Sequence, residues 1–171
     1  CVAVKAAGTT LVIAAGTERG WYSPPHCIRT PGDCPEVISV AASGYMSSNY
    51  ASFSSEGPTV WEEPAPYNDY PYPPGLLKPD ITAPGDDIDS TILGGGYGSN
   101  SGTSMATPHV AGVCALMLDA NPDLTPDDVQ MILESTAIDL GPVGKDKDYG
   151  AGMVDTPAAV LAALTGVTQN P

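Results

Sequence analysis

The string GTSMATPHVAG, residues 102–112, sets Ser104 where a glycine gives way to a run of helix-forming and apolar residues. A serine hydroxyl is a weak nucleophile until a base takes its proton, so its surroundings decide whether it reacts. Here Gly102 permits close approach, and Ser104 opens a helix whose unpaired N–H groups and positive dipole end favour developing negative charge. That arrangement suits acyl transfer through an oxyanion. The competing interpretation is a serine that only caps a helix, the commonest reason for serine at such a place.

A base is harder to find. The chain has two histidines. His109 follows Ser104 by five residues, which on a helix puts it about 140° round the axis and about 7.5 Å along it, out of hydrogen-bond reach. It reads as a structural member of the helix. His26, in the loop SPPHC, reads as a polar loop residue.

The string SGTSMATPHVAG resembles the nucleophile motif of the subtilisin-like serine proteases, the subtilases, in which the serine between Thr and Met attacks the scissile carbonyl. TLVIAAGTERG is similar to the strand and turn that carry that family's oxyanion side chain. VISVAAS, ASFSSEGP and DITAPG resemble its next segments in the right order, and YGAGMVD its closing turn. The resemblance covers nearly all of the chain except an excursion at about 58–78.

It implies an α/β fold, a three-layer α/β/α sandwich with a mainly parallel sheet. It also implies Ser104 as nucleophile, and Ala15, Gly16, Gly102 and Thr103 along the substrate site. The family's oxyanion asparagine is replaced here by Thr17, whose shorter hydroxyl rotates freely and donates more weakly or through water. The second oxyanion donor is the Ser104 amide. The family's histidine string, H-G-T-H-like, and its aspartate string, D-x-G-like, do not occur in residues 1–171. In subtilases both precede the segment matched here.

Residues 1–171 are therefore expected to be the C-terminal portion of a single catalytic domain. An N-terminal chain or segment would supply the aspartate and histidine, for a secreted endopeptidase acting on peptides or proteins. The alternative is a catalytically degenerate domain kept for binding or structure. A carboxyl-type serine peptidase, with a glutamate base, also has G-T-S, but MATPHVAG does not fit its helix.

The elements that must position Ser104 are legible as patterns. TLVIAA (10–15) and EVISVAAS (36–43) are apolar, β-prone runs that read as buried parallel strands. The residues before them, CVAVKAAG, read as the tail of a helix. Residues 16–35 read as a long loop of the kind that is usually functional. DITAPG returns as a short strand, and Gly94–Gly96 suggest backbone that something approaches closely. A helix from about Ser104 to Leu118 is apolar nearly all round, as in a core-crossing helix. LTPDDVQMILEST carries Thr125 as N-cap with Pro126 at the first helical position, and DTPAAVLAAL repeats the device with Thr156 and Pro157.

Six basic against twenty acidic residues give a formal charge of −14. That charge disfavours nucleic acid and anionic membranes as partners, and no apolar run reaches the length of a membrane span. Cys27 and Cys34 bracket a loop short enough for a disulfide, or stay as half-buried thiols. No cofactor is required for catalysis. Structural Ca2+ is expected from the resemblance to secreted subtilases, on carbonyls of loop 24–37 or on Asp86, Asp87 and Asp89, though no complete ligand motif is present.

Overall fold

The computed structural model describes residues 1–44, 49–60, 70–71 and 74–166; most of the 58–78 excursion lies outside them. A short helix, α1 (Val2–Ala6), leads into β1 (Val12–Ala14), followed by β2 (Ile38–Ser43) and β3 (Ile81–Pro84). These three strands form a parallel sheet in the order β1-β2-β3, with Val12 opposite Ile38 and Val40 opposite Ile81. The fold is α/β, as expected.

β2 is buried along its whole length, as the middle of a parallel sheet requires, whereas β1 is only half-buried, short of the expected burial. The outer side of β3 is covered. Met153 bridges to Thr82 in parallel, and the amides of Ala151 and Val154 donate to the carbonyls of Asp80 and Thr82. Beyond β1 no described strand pairs, so that edge is open.

After β3 the chain forms a hairpin of β4 (Ile88–Thr91) and β5 (Tyr97–Asn100). Gly94, Gly95 and Gly96, with φ of 89°, 91° and 95°, make its turn, and nothing lies within 4 Å of a side chain built on any of them. No described residue makes the close approach expected at these glycines, and their positive φ by itself calls for glycine.

α2 (Thr103–Ala120) packs on all three strands of the parallel sheet and on α4 (Thr156–Thr165). Ala106, Val110, Val113, Cys114 and Met117 recur at helical spacing and enter the core beside Val40, Ile81 and Ala83. The expected core-crossing helix is corrected as well, because Ala111, Gly112, Ala115 and Leu116 on the remaining face are exposed.

α3 (Pro126–Thr136) starts in the full capping box, with the Thr125 side chain accepting from the Asp128 amide and the Asp128 carboxylate accepting from that of Thr125. α4 begins one residue earlier than its sequence suggests. Asp155 rather than Thr156 is the N-cap, accepting from Ala158 N at 3.0 Å. The cysteines are free thiols, so the expected Cys27–Cys34 bridge is not made. Cys27 is wholly buried, and its Sγ accepts instead from the Glu56 amide.

Candidate active site

Ser104 is the second residue of α2, on its solvent side, and its hydroxyl has no hydrogen-bond partner among the described residues. Gly102, the N-cap, has φ 156°, a value that side chains with a Cβ avoid. It sends the chain from β5 sharply into the helix. The Met105 and Ala106 amides both turn back to the Gly102 carbonyl. The Ser104 amide is left without an acceptor among the described residues, free to donate outward. Pro108 sits inside the helix and has no N–H to return to the Ser104 carbonyl four residues earlier.

The β1–β2 loop brings Thr17 to the same place. Gly16, at φ 116°, turns the chain, and its amide donates to Thr103 Oγ1 at 3.1 Å. A Cβ on Gly16 would meet the movable Glu18 carboxylate at 2.4 Å, and it is the positive φ that calls for glycine there. Thr17, next along, is exposed, with its Cγ2 3.7 Å from where a Gly102 Cβ would be. Its hydroxyl, like that of Ser104, has no partner among the described residues.

Ala15, Gly102 and Thr103 are buried beneath this surface. Thr103 accepts from the Gly16 amide at its Oγ1 and from the Thr107 hydroxyl at its carbonyl, so it ties the β1–β2 loop to the start of α2 from below. The structure thus brings Gly16, Thr17, Gly102, Thr103 and Ser104 together. Two cavities flank them. One, of about 320 Å³, runs along Ser104, Met105, Pro108, His109, Ile88 and Asp89. The other, of about 330 Å³, is lined by Thr17, Glu18, Trp21, Tyr22 and Arg29. A further cavity, about 820 Å³ between Lys5, Met131, Glu134 and Lys145, shares no residue with either.

His109 is exposed beside the serine rather than packed in the helix, and its Nδ1 bonds to the Met105 carbonyl at 2.9 Å. A carbonyl can only accept, so Nδ1 carries the proton. No hydrogen bond joins it to Ser104. His26 lies exposed in its loop, its amide donating to the Ser23 carbonyl. The described residues therefore bring together an exposed serine hydroxyl, a free helix-start amide and a threonine hydroxyl, with neither histidine bonded to the serine. They also contain no group of three His, Cys, Asp or Glu side chains suited to a metal. Asp87 is engaged with Ser99 and Ser101 in the hairpin.

Several residues of the site were not foreseen. Glu18 Oε2 accepts from the Thr17 amide at 2.6 Å and from Ser55 Oγ at 3.2 Å. Its other oxygen lies 3.2 Å from Arg29 Nε, a bond that holds the guanidinium above its ordinary pKa. Charged residues inside a glycine-bounded loop, GTERG, were the available signal.

A sequence profile described as the subtilase family matches residues 3–152. Subtilisin E of Bacillus subtilis strain 168 is 38% identical over 152 residues, 89% of this chain and 34% of its own length. Serine protease AprX of the same strain is 37% identical over 177 residues, 90% of this chain and 36% of its own. An extracellular protease of Xanthomonas campestris pv. campestris is 37% identical over 167 residues, 93% of this chain and 24% of its own. The chain spans about a third of the length of the first two and about a quarter of the third. With that profile matching most of its length, the chain belongs to the subtilase family.

Proposed function

We propose that this chain carries the nucleophile and oxyanion half of a serine endopeptidase that cleaves peptides or proteins outside the cell. The observation that carries the reading is an exposed, unbonded Ser104 hydroxyl whose own amide is free at the start of α2, with Thr17 across Gly102 from it. A histidine, oriented by an aspartate, comes from an N-terminal part of the same catalytic domain. That part lies over the exposed α2 face at Ala111, Gly112, Ala115 and Leu116, and adds strands at the open β1 edge, completing the three-layer α/β/α sandwich.

In the reaction the histidine takes the Ser104 proton as Oγ attacks the substrate carbonyl. The oxyanion receives hydrogen bonds from the Ser104 amide and the Thr17 hydroxyl. The histidine returns the proton to the leaving amine, and water then hydrolyses the acyl-serine by the same route. These steps use side chains and backbone alone. A structural Ca2+ would rest mainly on backbone carbonyls, since the carboxylates among the described residues form no cage. That the Xanthomonas relative is named an extracellular protease supports action outside the cell.

A fluorophosphonate applied to the assembled enzyme is expected to label Ser104, seen by peptide mass mapping, and Ser104→Ala to abolish labelling and hydrolysis. No labelling, with the partner histidine in place, overturns the reading. Thr17 favours one alternative, a degenerate domain kept for binding, and that same outcome would select it.

A further inference from the structure

Turn 16–19, which presents Thr17, belongs to no helix or strand, so its position depends on what holds it from outside. Part of the hold is backbone. The Ser55 amide donates to the Gly16 carbonyl at 2.9 Å, and the Glu18 amide to Ser55 Oγ at 3.1 Å. At the far end of the turn the backbone bond is long, with Arg19 N donating to the Phe53 carbonyl at 3.4 Å. There the side chain takes over. One guanidinium nitrogen, Arg19 Nη2, lies 2.9 Å from Glu56 Oε2 and 2.7 Å from Asp148 Oδ1. The guanidinium carbon also sits 4.1 Å from the centre of the Tyr50 ring.

The three partners come from two parts of the chain, Tyr50 and Glu56 from one and Asp148 from the other, and each is itself anchored. Tyr50 hydroxyl donates to the Ser54 and Ser55 carbonyls, and its ring meets Tyr149 edge-on with centroids 5.4 Å apart. The amides of Asp148 and Tyr149 both donate to Asp146 Oδ1. Lys147 pairs with both Glu56 and Asp148, and Gly57 N donates to the Lys147 carbonyl. Two cations thus balance two carboxylates. Without Arg19, two carboxylates would face a single lysine, and their repulsion would act on the strap at 53–56 that holds the turn. The Arg19, Glu56 and Asp148 side chains are 26%, 15% and 24% exposed, so the pairing is less screened than at an open surface.

We propose that Arg19 is a positioning residue for hydrolysis: bridging Glu56 and Asp148 over the Tyr50 ring, it fixes the turn that places the Thr17 hydroxyl against the oxyanion. The inference rests on the reading of Ser104 as nucleophile and Thr17 as oxyanion donor. An arginine suits the task because its planar group can face two carboxylates and a ring together, which a lysine cannot do.

The test is Arg19→Ala in the assembled enzyme, with active sites counted by fluorophosphonate titration. Misplacing a catalytic group by an ångström costs on the order of 10² in rate. A turn loosened at one end should lower kcat by roughly tenfold and leave KM within about twofold. A peptide boronic acid, which presents a tetrahedral anion, should lose affinity in step with kcat, while an uncleaved substrate peptide should bind as before. Arg19→Lys should fall between. If Arg19→Ala does not assemble, Asp148→Asn opens one arm and should show the same split, with a fall of roughly threefold. An active wild type with kcat per titrated site unchanged in these variants overturns the proposal, as does boronate affinity that does not follow kcat. A wild-type assembly that neither cleaves nor labels overturns the functional reading, and this inference with it.

Discussion

Replacing Thr17 tests the oxyanion assignment directly, because valine keeps the shape of threonine and removes only the hydroxyl. A well-placed oxyanion donor is worth on the order of 10²–10³ in kcat, a magnitude established on a subtilisin rather than worked from this chain. Thr17 should deliver less. Its hydroxyl is exposed and unbonded among the described residues, so it must be oriented, and a competing water displaced, as the oxyanion forms. A hydrogen bond to a charged group is worth about 1.5–3 kcal/mol net. The lower end applies to a free rotor, so Thr17→Val should lower kcat by about tenfold, with KM little changed because the charge exists only in the transition state. Thr17→Asn should move the other way. An amide reaches further, and Gly102 sets no side chain against it. The remaining difference to a full donor is about 1.5–2 kcal/mol, or roughly ten- to thirtyfold in kcat. The assay is hydrolysis of a chromogenic peptide anilide by the assembled enzyme, normalised to titrated Ser104. Equal kcat in wild type, Thr17→Val and Thr17→Asn would show that this side chain does not touch the oxyanion.

Asp80 is a second point of sensitivity. It is buried and accepts from Lys78, Lys145 and the Ser39 amide, so Asp80→Asn should destabilise the enzyme by about 3–5 kcal/mol in denaturant titration. In α3, hydrogen bonds from the Thr125 hydroxyl and amide hold Asp128 below its ordinary pKa. The folded value lies under the unfolded one, so this stabilisation is present above about pH 4 and is lost as pH falls through the lowered value. Thr125→Ala should cost about 1 kcal/mol at neutral pH and flatten the acid limb of a stability-pH curve. Burial pushes the Cys114 thiol up to about 11. Mass mapping after iodoacetamide treatment at pH 8 should therefore find the exposed Cys1 modified and Cys114 intact until the protein is unfolded.

What the sequence disclosed depends on how local the determining physics is. The capping box at Thr125 and Asp128 is contained in four consecutive residues, and the start of α2 in three, so both could be read directly. The parallel strands could be read because burial on both faces demands unbroken apolar runs, as β2 has. β4 and β5 escaped because an exposed hairpin needs no such run, and the glycines that signal its turn equally suggest a close approach. α4 was displaced by one residue because Asp155 and Thr156 are both good caps, and only the structure shows that Asp155 accepts from Ala158 N.

The site divides along the same line. Ser104 and its free amide follow from the turn at Gly102, whereas the setting of Thr17 depends on residues far along the chain. Thr103 lies 87 positions away from Gly16 and Asp148 lies 129 from Arg19. Nothing in GTERG says which carboxylates its arginine will meet, since that is decided when the strap at 53–56 and the loop at 146–150 close on the turn. The exposed face of α2 shows the converse. Ala111, Gly112, Ala115 and Leu116 made the helix read as core-crossing, and the sheet and α4 cover only its other side. Apolar residues around a whole helix report how much of it is meant to be covered. On α2 the exposed apolar side runs from Ser104 along the helix to Leu116, which is the face the proposed base-bearing part would cover.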